Sequence, residues 1–176
     1  MTNFQTSRSI NSELLARMIS TLHHRGPDRN DVWSSGPAGL GHARLSIIDL
    51  SDSGNQPMQS PCGRYVIVYN GEVYNFSELR IELERDGIKF CSHSDTEVVL
   101  HAYIRYGLEI LPRLNGIFAL AIWDTQKNEL LLARDRFGVK PLYFHRTRNG
   151  IIFGSEIKAI LASGAITPQI APPRVS

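Results

Sequence analysis

Two cysteines in 176 residues, no apolar run longer than Ile117 to Trp123 and almost no charge imbalance are what this chain conspicuously withholds. Cys62 stands in a turn-like Pro-Cys-Gly and Cys91 follows Phe90, so no CxxC forms. Neither cysteine shows metal-type spacing with the six histidines, which excludes a disulfide scaffold and gives no sign of a zinc site. Nineteen basic against seventeen acidic residues leave a formal charge of +2, too little to draw the chain to nucleic acid or an anionic membrane. Seven apolar residues cannot span a bilayer, and Met1 to Gln5 lacks the basic and apolar regions of a signal peptide, so the chain reads as cytoplasmic. What is present is 42% apolar content over a length suited to one well-buried core.

Along the chain, Leu15, Met18, Ile19 and Leu22 repeat at helical spacing, with Asn11 as N-cap, Ile10 as staple and Gly26-Pro27 as the stop. Gly39 to Leu50 reads as a strand and its exit, with Arg44 embedded among apolar neighbours. Tyr65 to Tyr69 is an apolar strand ending in Asn70-Gly71-Glu72. Asn75 to Glu78 has capping-box spacing and opens a helix that Gly87 closes; Ser94 to Glu97 opens another that Gly107 closes. Strands follow at Gly116 to Asp124, Glu129 to Arg134, Leu142 to His145 and Ile151 to Gly154, then a short helix from Ser155 to Ser163. The histidines read as loop or surface residues. Helices early and hairpins late predict an α+β fold of layered sheets with helices outside. Residues 1–165 read as one domain and the proline-rich 166–176 as a linker stub.

Three positions carry chemistry in more than one way. Asn70 offers an amide donor, and Gly71 lets a backbone N–H approach a ligand, a pairing suited to a developing oxyanion; Asn-Gly is equally a plain turn. Arg44 presents a planar fork matched to a carboxylate, or a buried cation paired with Asp28 or Asp49. Asp95, in the first turn of a helix, can hold a cation or only complement the helix dipole.

The blocks HRGPD (24–28), GHARLSIIDLS (41–51), QPM (56–58), NGEVYN (70–75), SDTE (94–97), RLNGIFALAIWD (113–124), ARDRFGVKPLY (133–143) and SEIKAI (155–160) occur in this order. Together they resemble the glutaminase half of glutamine-hydrolysing asparagine synthase, a class II glutamine amidotransferase of the N-terminal-nucleophile type. That resemblance implies a four-layer αββα sandwich and an N-terminal Cys whose own α-amine serves as base. It also implies that Arg44 holds the α-carboxylate of L-glutamine and Asp95 its α-ammonium. Asn70 and Gly71 would form the oxyanion hole, and Glu72 with the backbone of Leu45, Ser46, Ile47 and Ile48 would complete the pocket.

One departure matters. The family leads with Met-Cys-Gly-Ile on an apolar first strand, whereas this chain begins Met1-Thr2-Asn3-Phe4-Gln5-Thr6. The expectation is a sandwich lacking its first strand, a glutamine pocket without its nucleophile and an inactive chain, or else a binding module or a piece of a complete enzyme. Cys62 has no base beside it in sequence, and Thr2 lacks a strand to carry it to the pocket. No cofactor is expected in this domain; ATP and Mg would belong to an absent synthetase half, the one partner beyond glutamine that the resemblance suggests.

Overall fold

The computed structural model describes residues 10–45, 54–148 and 150–167. Helix α1 (Ser12–Ser20) begins where Asn11 Oδ1 accepts the Glu13 N–H at 2.8 Å. Its buried face, Leu15 and Ile19, lies on a hairpin of β1 (Arg29–Ser35) and β2 (Ala38–Arg44). Gly39 and Gly41 make that contact possible: a Cβ on either would stand 2.7 Å from Leu15 Cδ1 and 2.2 Å from Ile19 Cδ1 respectively. Strand β1 was not expected from sequence, because its RNDVWSS is mostly exposed and shows no apolar alternation.

A second sheet runs β3 (Met58–Gln59), β4 (Tyr65–Val73), β5 (Gly116–Asp124), β6 (Glu129–Arg134), antiparallel throughout. Strand β4 continues through Asn70-Gly71-Glu72 to Val73, pairing with β5 over its whole length, where the sequence suggested an ending at Tyr69. Ile67, Tyr69 and Val73 face helices α2 (Phe76–Arg85) and α3 (Asp95–Tyr106); Val66 and Val68 face Ala38 and Leu40 of β2. A third hairpin, β7 (Tyr143–Thr147) with β8 (Gly150–Gly154), sends Phe153 into that same inter-sheet core and carries α4 (Ile157–Ala162) on its outside. The layers are therefore α1 and α4, the two hairpins, the four-stranded sheet, and α2 with α3: the αββα sandwich.

The Asn75 capping box does not form. Asn75 precedes α2, but its side chain accepts the Asn115 N–H at 2.9 Å and donates to the Arg113 carbonyl at 3.0 Å, leaving no cap bond. A distant loop outcompetes the local donor, fastening α2 to the entry of β5. By contrast Ser94 caps α3 as expected, accepting from Thr96 N–H at 3.1 Å, and Gly107 with φ 60° ends it. Replacing Asn75 by Ala should lower unfolding free energy by about 1–2 kcal/mol through loss of these two bonds. Asn75→Ser, a competent cap, should not restore it; urea titrations of the three proteins check this.

Candidate functional site

Tyr69 lies past the end of β3, so its backbone has no strand partner on that side. Side chains take the place of a strand. Gln56 Oε1 accepts the Tyr69 N–H at 2.6 Å, while Gln56 Nε2 donates to Thr96 Oγ1 at 3.2 Å. His42 of β2 lines the same cavity as Tyr69. On the helical face, the Tyr69 hydroxyl donates to Asp95 Oδ2 at 2.8 Å, and that oxygen also accepts the Val73 N–H at 3.1 Å.

Asn70 is thus preceded by a residue held through both its N–H and its hydroxyl. By strand alternation its side chain turns to the inter-sheet layer, where it lines a cavity of about 160 Å³. Gly71 comes so close to β5 that a Cβ would sit 2.2 Å from the Ile117 carbonyl oxygen and 2.6 Å from Phe118 Cα. No other residue fits there. Arg44, 9% exposed, sits at the end of β2 on the face that carries Leu40 and His42, and donates to Asn55 Oδ1. The Arg44 carbonyl accepts the Asp28 N–H at 3.1 Å, which joins the HRGPD and GHARL blocks.

The structure brings Arg44, His42 and Asn70 to the inter-sheet layer and puts Asp95 on the opposite face of β4. The two sides meet only at the strand end, through Tyr69 and Val73. Burial pushes the Asp95 carboxyl up, against the opposing pull of the Val73 N–H and the Tyr69 hydroxyl. Burial, with the Asp95 charge beside it, also raises the Tyr69 hydroxyl well above its ordinary range. Glu72 is exposed on the outer end of β4, and Leu45 is 52% exposed just after β2. Ser46, Ile47 and Ile48 fall outside the described residues.

Cys62 lies before the start of β4, at the end of the strand remote from Gly71, with its sulfur 3.4 Å from Ser60 Oγ. Cys91 is exposed in the loop before α3, where its N–H donates to Glu97 Oε1 at 2.8 Å. Neither lines the Asn70 cavity.

That cavity separates the facing edges of two hairpins. Gly39 to His42 of β2 form one wall and Ile151 to Gly154 of β8 the other, with α1 and α4 behind. Among the described residues neither edge has a second strand partner. Asn70 lines the cavity from β4.

Sequence reasoning passed over Gln56, Tyr69 and His42. Gln56 stood in the QPM block and His42 beside Arg44, and period-two alternation from Leu40 would have put His42 and Arg44 on one face. The histidines are not all surface residues: His42 lines the cavity and His101 is buried beside Glu97. Burial lowers His42 to a pKa of about 4. The unfolded chain takes the proton near 6.5, the fold only near 4, so His42's contribution to stability is complete above about 6.5 and is lost as pH falls toward 4. The loss amounts to up to about 3 kcal/mol. His42→Gln should flatten stability between pH 6.5 and 4 relative to the unsubstituted chain, as read by denaturant midpoints across that window.

The family described as "Glutamine amidotransferase domain" matches residues 1–176. The chain is 45% identical over 160 residues to asparagine synthetase [glutamine-hydrolyzing] 3 of Bacillus subtilis (strain 168), covering 90% of this chain and 26% of that protein. It is 43% identical over 154 residues to amidase chry2 of Gibberella zeae, covering 86% and 23% respectively. It spans about a quarter of the length of these curated relatives. The glutamine phosphoribosylpyrophosphate amidotransferase of B. subtilis, solved with ADP and GMP, superposes with a TM-score of 0.77 at 22% identity over 90% of this chain and 42% of that one. That likeness bears on the fold alone. A sandwich whose central strand carries Asn70-Gly71, together with a family match along its full length, makes this chain a member of the glutamine amidotransferase domain family.

Proposed function

We propose that this domain binds L-glutamine and works on its side-chain amide, releasing ammonia that an asparagine synthetase would use to amidate aspartate. The observation that carries this is β4, where Asn70, followed by Gly71, lines an inter-sheet cavity together with His42, while the buried Arg44 closes β2 on the face that carries His42. In this reading Arg44 holds the α-carboxylate, and Asp95 receives the α-ammonium, whose arrival offsets the cost of its buried charge. A cysteine thiolate adds to the amide carbon, the electron pair moves to the carbonyl oxygen, and the Asn70 NH2 and Gly71 N–H stabilise that oxyanion. Its collapse breaks the C–N bond as the proton that the cysteine's α-amine took from the thiol passes to the leaving nitrogen, expelling ammonia, and water then hydrolyses the thioester to glutamate and the free thiol. Glu72 and the backbone of residues 45–48 finish the pocket.

Cys62 and Cys91 lie elsewhere, so in this reading the reaction uses a cysteine delivered to the cavity between β2 and β8. Without one, the 176 residues should bind glutamine and turn over little of it. A synthetase domain or chain is the proposed partner: Asp135 accepts the N–H groups of Phe118, Phe137, Val139 and Lys140 at 3.0–3.3 Å, fixing a loop that leaves Phe137 92% exposed. ATP and its magnesium are assigned to that partner and not to this domain. The α3 N-terminus is occupied by the Ser94 cap and by Asp95 and Glu97, which would repel a phosphate.

Adding Met-Cys-Gly-Ile-Ala-Gly-Phe ahead of Thr2 should create glutaminase activity, measured as glutamate release. A folded but inert product would count against the reading. In that protein Asn70→Ala should lower kcat by about 100-fold. Arg44→Lys, which keeps the charge and loses the fork, should weaken glutamine binding about 10-fold by calorimetry.

A further inference from the structure

Gln56, in the loop before β3, is 8% exposed, and the proposed mechanism leaves it unused. Both ends of its amide are engaged: Oε1 accepts the Tyr69 N–H at 2.6 Å, and Nε2 donates to Thr96 Oγ1 at 3.2 Å. A backbone N–H can only donate, so the Gln56 oxygen must face Tyr69 and its NH2 must face Thr96. The residue before Thr96 in α3 is Asp95, whose Oδ2 accepts the Tyr69 hydroxyl at 2.8 Å and the Val73 N–H at 3.1 Å. Tyr69 of β4 is therefore tied, through its backbone by way of Gln56 and through its own hydroxyl, to two consecutive residues of one helix. Tyr69 and Val73 turn their N–H groups to the edge of β4 that β3 leaves uncovered, and period-two alternation puts the Gly71 N–H between them on that edge. Gln56 takes the first of these donors and Asp95 the last. The Gly71 N–H stands two residues, about 7 Å, from the N–H that Asp95 holds. Glutamine has three carbon–carbon bonds between its α-carbon and its amide carbon, enough to set its ammonium at one end of that interval and its amide oxygen at the other.

We infer that Gln56 is a positioning residue: by bridging the Tyr69 N–H to Thr96 it fixes α3, and with it the Asp95 carboxylate, against the β4 edge that carries Gly71. It thereby sets the separation between the anchor for the α-ammonium and the donor to the oxyanion, and so the preference for a substrate that carries both groups. The inference rests on the roles proposed for Asp95 and Gly71. Without Gln56 the start of α3 keeps its hold on β4 through Asp95 and loses the second tie one residue along, the one that stops the carboxylate from shifting relative to Gly71.

The deciding experiment titrates the full 176-residue chain, followed by amide NMR, with L-glutamine and with glutaramic acid, which is glutamine without its α-amino group. The unsubstituted chain should bind glutamine about 10- to 100-fold more tightly, the worth of one charge-assisted hydrogen bond. In Gln56→Met, similar in length but without the amide, that preference should fall to about 3-fold or less while glutaramic acid binds as before. A merely structural defect would weaken both ligands alike and leave their ratio in place. Thr96→Val, which leaves Gln56 on Tyr69 and removes its tie to α3, should also lose the preference, and Thr96→Ser, which keeps the hydroxyl, should retain it. Should Gln56→Met fail to fold, the two Thr96 variants decide. A ratio unchanged in Gln56→Met or in Thr96→Val, with or without equal weakening of both ligands, overturns the inference and leaves the reading of Asp95 standing. If the unsubstituted chain binds glutamine no better than glutaramic acid, or binds neither, the ammonium role of Asp95 falls and this inference with it.

Discussion

Everything in this sandwich hangs on β4 having to satisfy two cores at once. Its nine residues pair without interruption against β5, from Tyr65 opposite Asp124 to Val73 opposite Gly116. Alternate side chains go to alternate sides, so Ile67, Tyr69 and Val73 are committed to the helices while Val66 and Val68 are committed to the hairpins. A slip of one residue would exchange the two sets, and it would also move Asn70 from the cavity to the helical layer. Register and chemistry are the same constraint.

The end of that strand is built by close backbone approach. Gly71 on β4 and Gly116 on β5 each lie where a Cβ would meet the other strand's carbonyl oxygen at 2.2 Å. The pairing there is tight, and it leaves the Asn70-Gly71 peptide fixed at a place where β3 has already stopped. Polar side chains then do what a neighbouring strand does elsewhere. Gln56 holds the Tyr69 N–H, and Asp95 holds the Tyr69 hydroxyl and the Val73 N–H from the helical side. Such buried groups are costly unless fully paired, and here each pairing restricts the same short stretch of chain.

Charged clusters outside this region serve assembly. Glu156 receives His24, Arg25 and Lys158 at 2.9, 3.3 and 3.1 Å, which ties the loop after α1 to the start of α4 and holds its carboxyl down at about 2. Arg64 grips Asp124 at 2.6 Å across the far end of the β4–β5 pair. The two blocks HRGPD and SEIKAI, far apart in sequence, are thus neighbours through ion pairs that hold α1 and α4 as one outer layer.

Local pattern was enough for much of this. The helical repeat of Leu15 to Leu22, the Ser94 cap, the glycine stop at Gly107 and the apolar strands β4, β5 and β6 are all short-range signals, because each depends on neighbours within a turn or a strand. The ordered blocks pointed to the family and its sandwich. Tertiary structure decided the rest. Exposed β1 is a strand only because β2 pairs with it, and Asn75 leaves its helix for Asn115, forty residues away. Asp95 was legible as a first-turn carboxylate, but its burial, which drives its carboxyl up, comes from packing against Tyr69 and Val73. His42 lay one alternation from Arg44 in plain view, yet its place in a cavity wall is made only when the hairpins meet the central sheet. Periodicity and caps are written in local sequence because they answer to the backbone's own geometry; which polar groups are buried, and against whom, is settled only when distant segments meet.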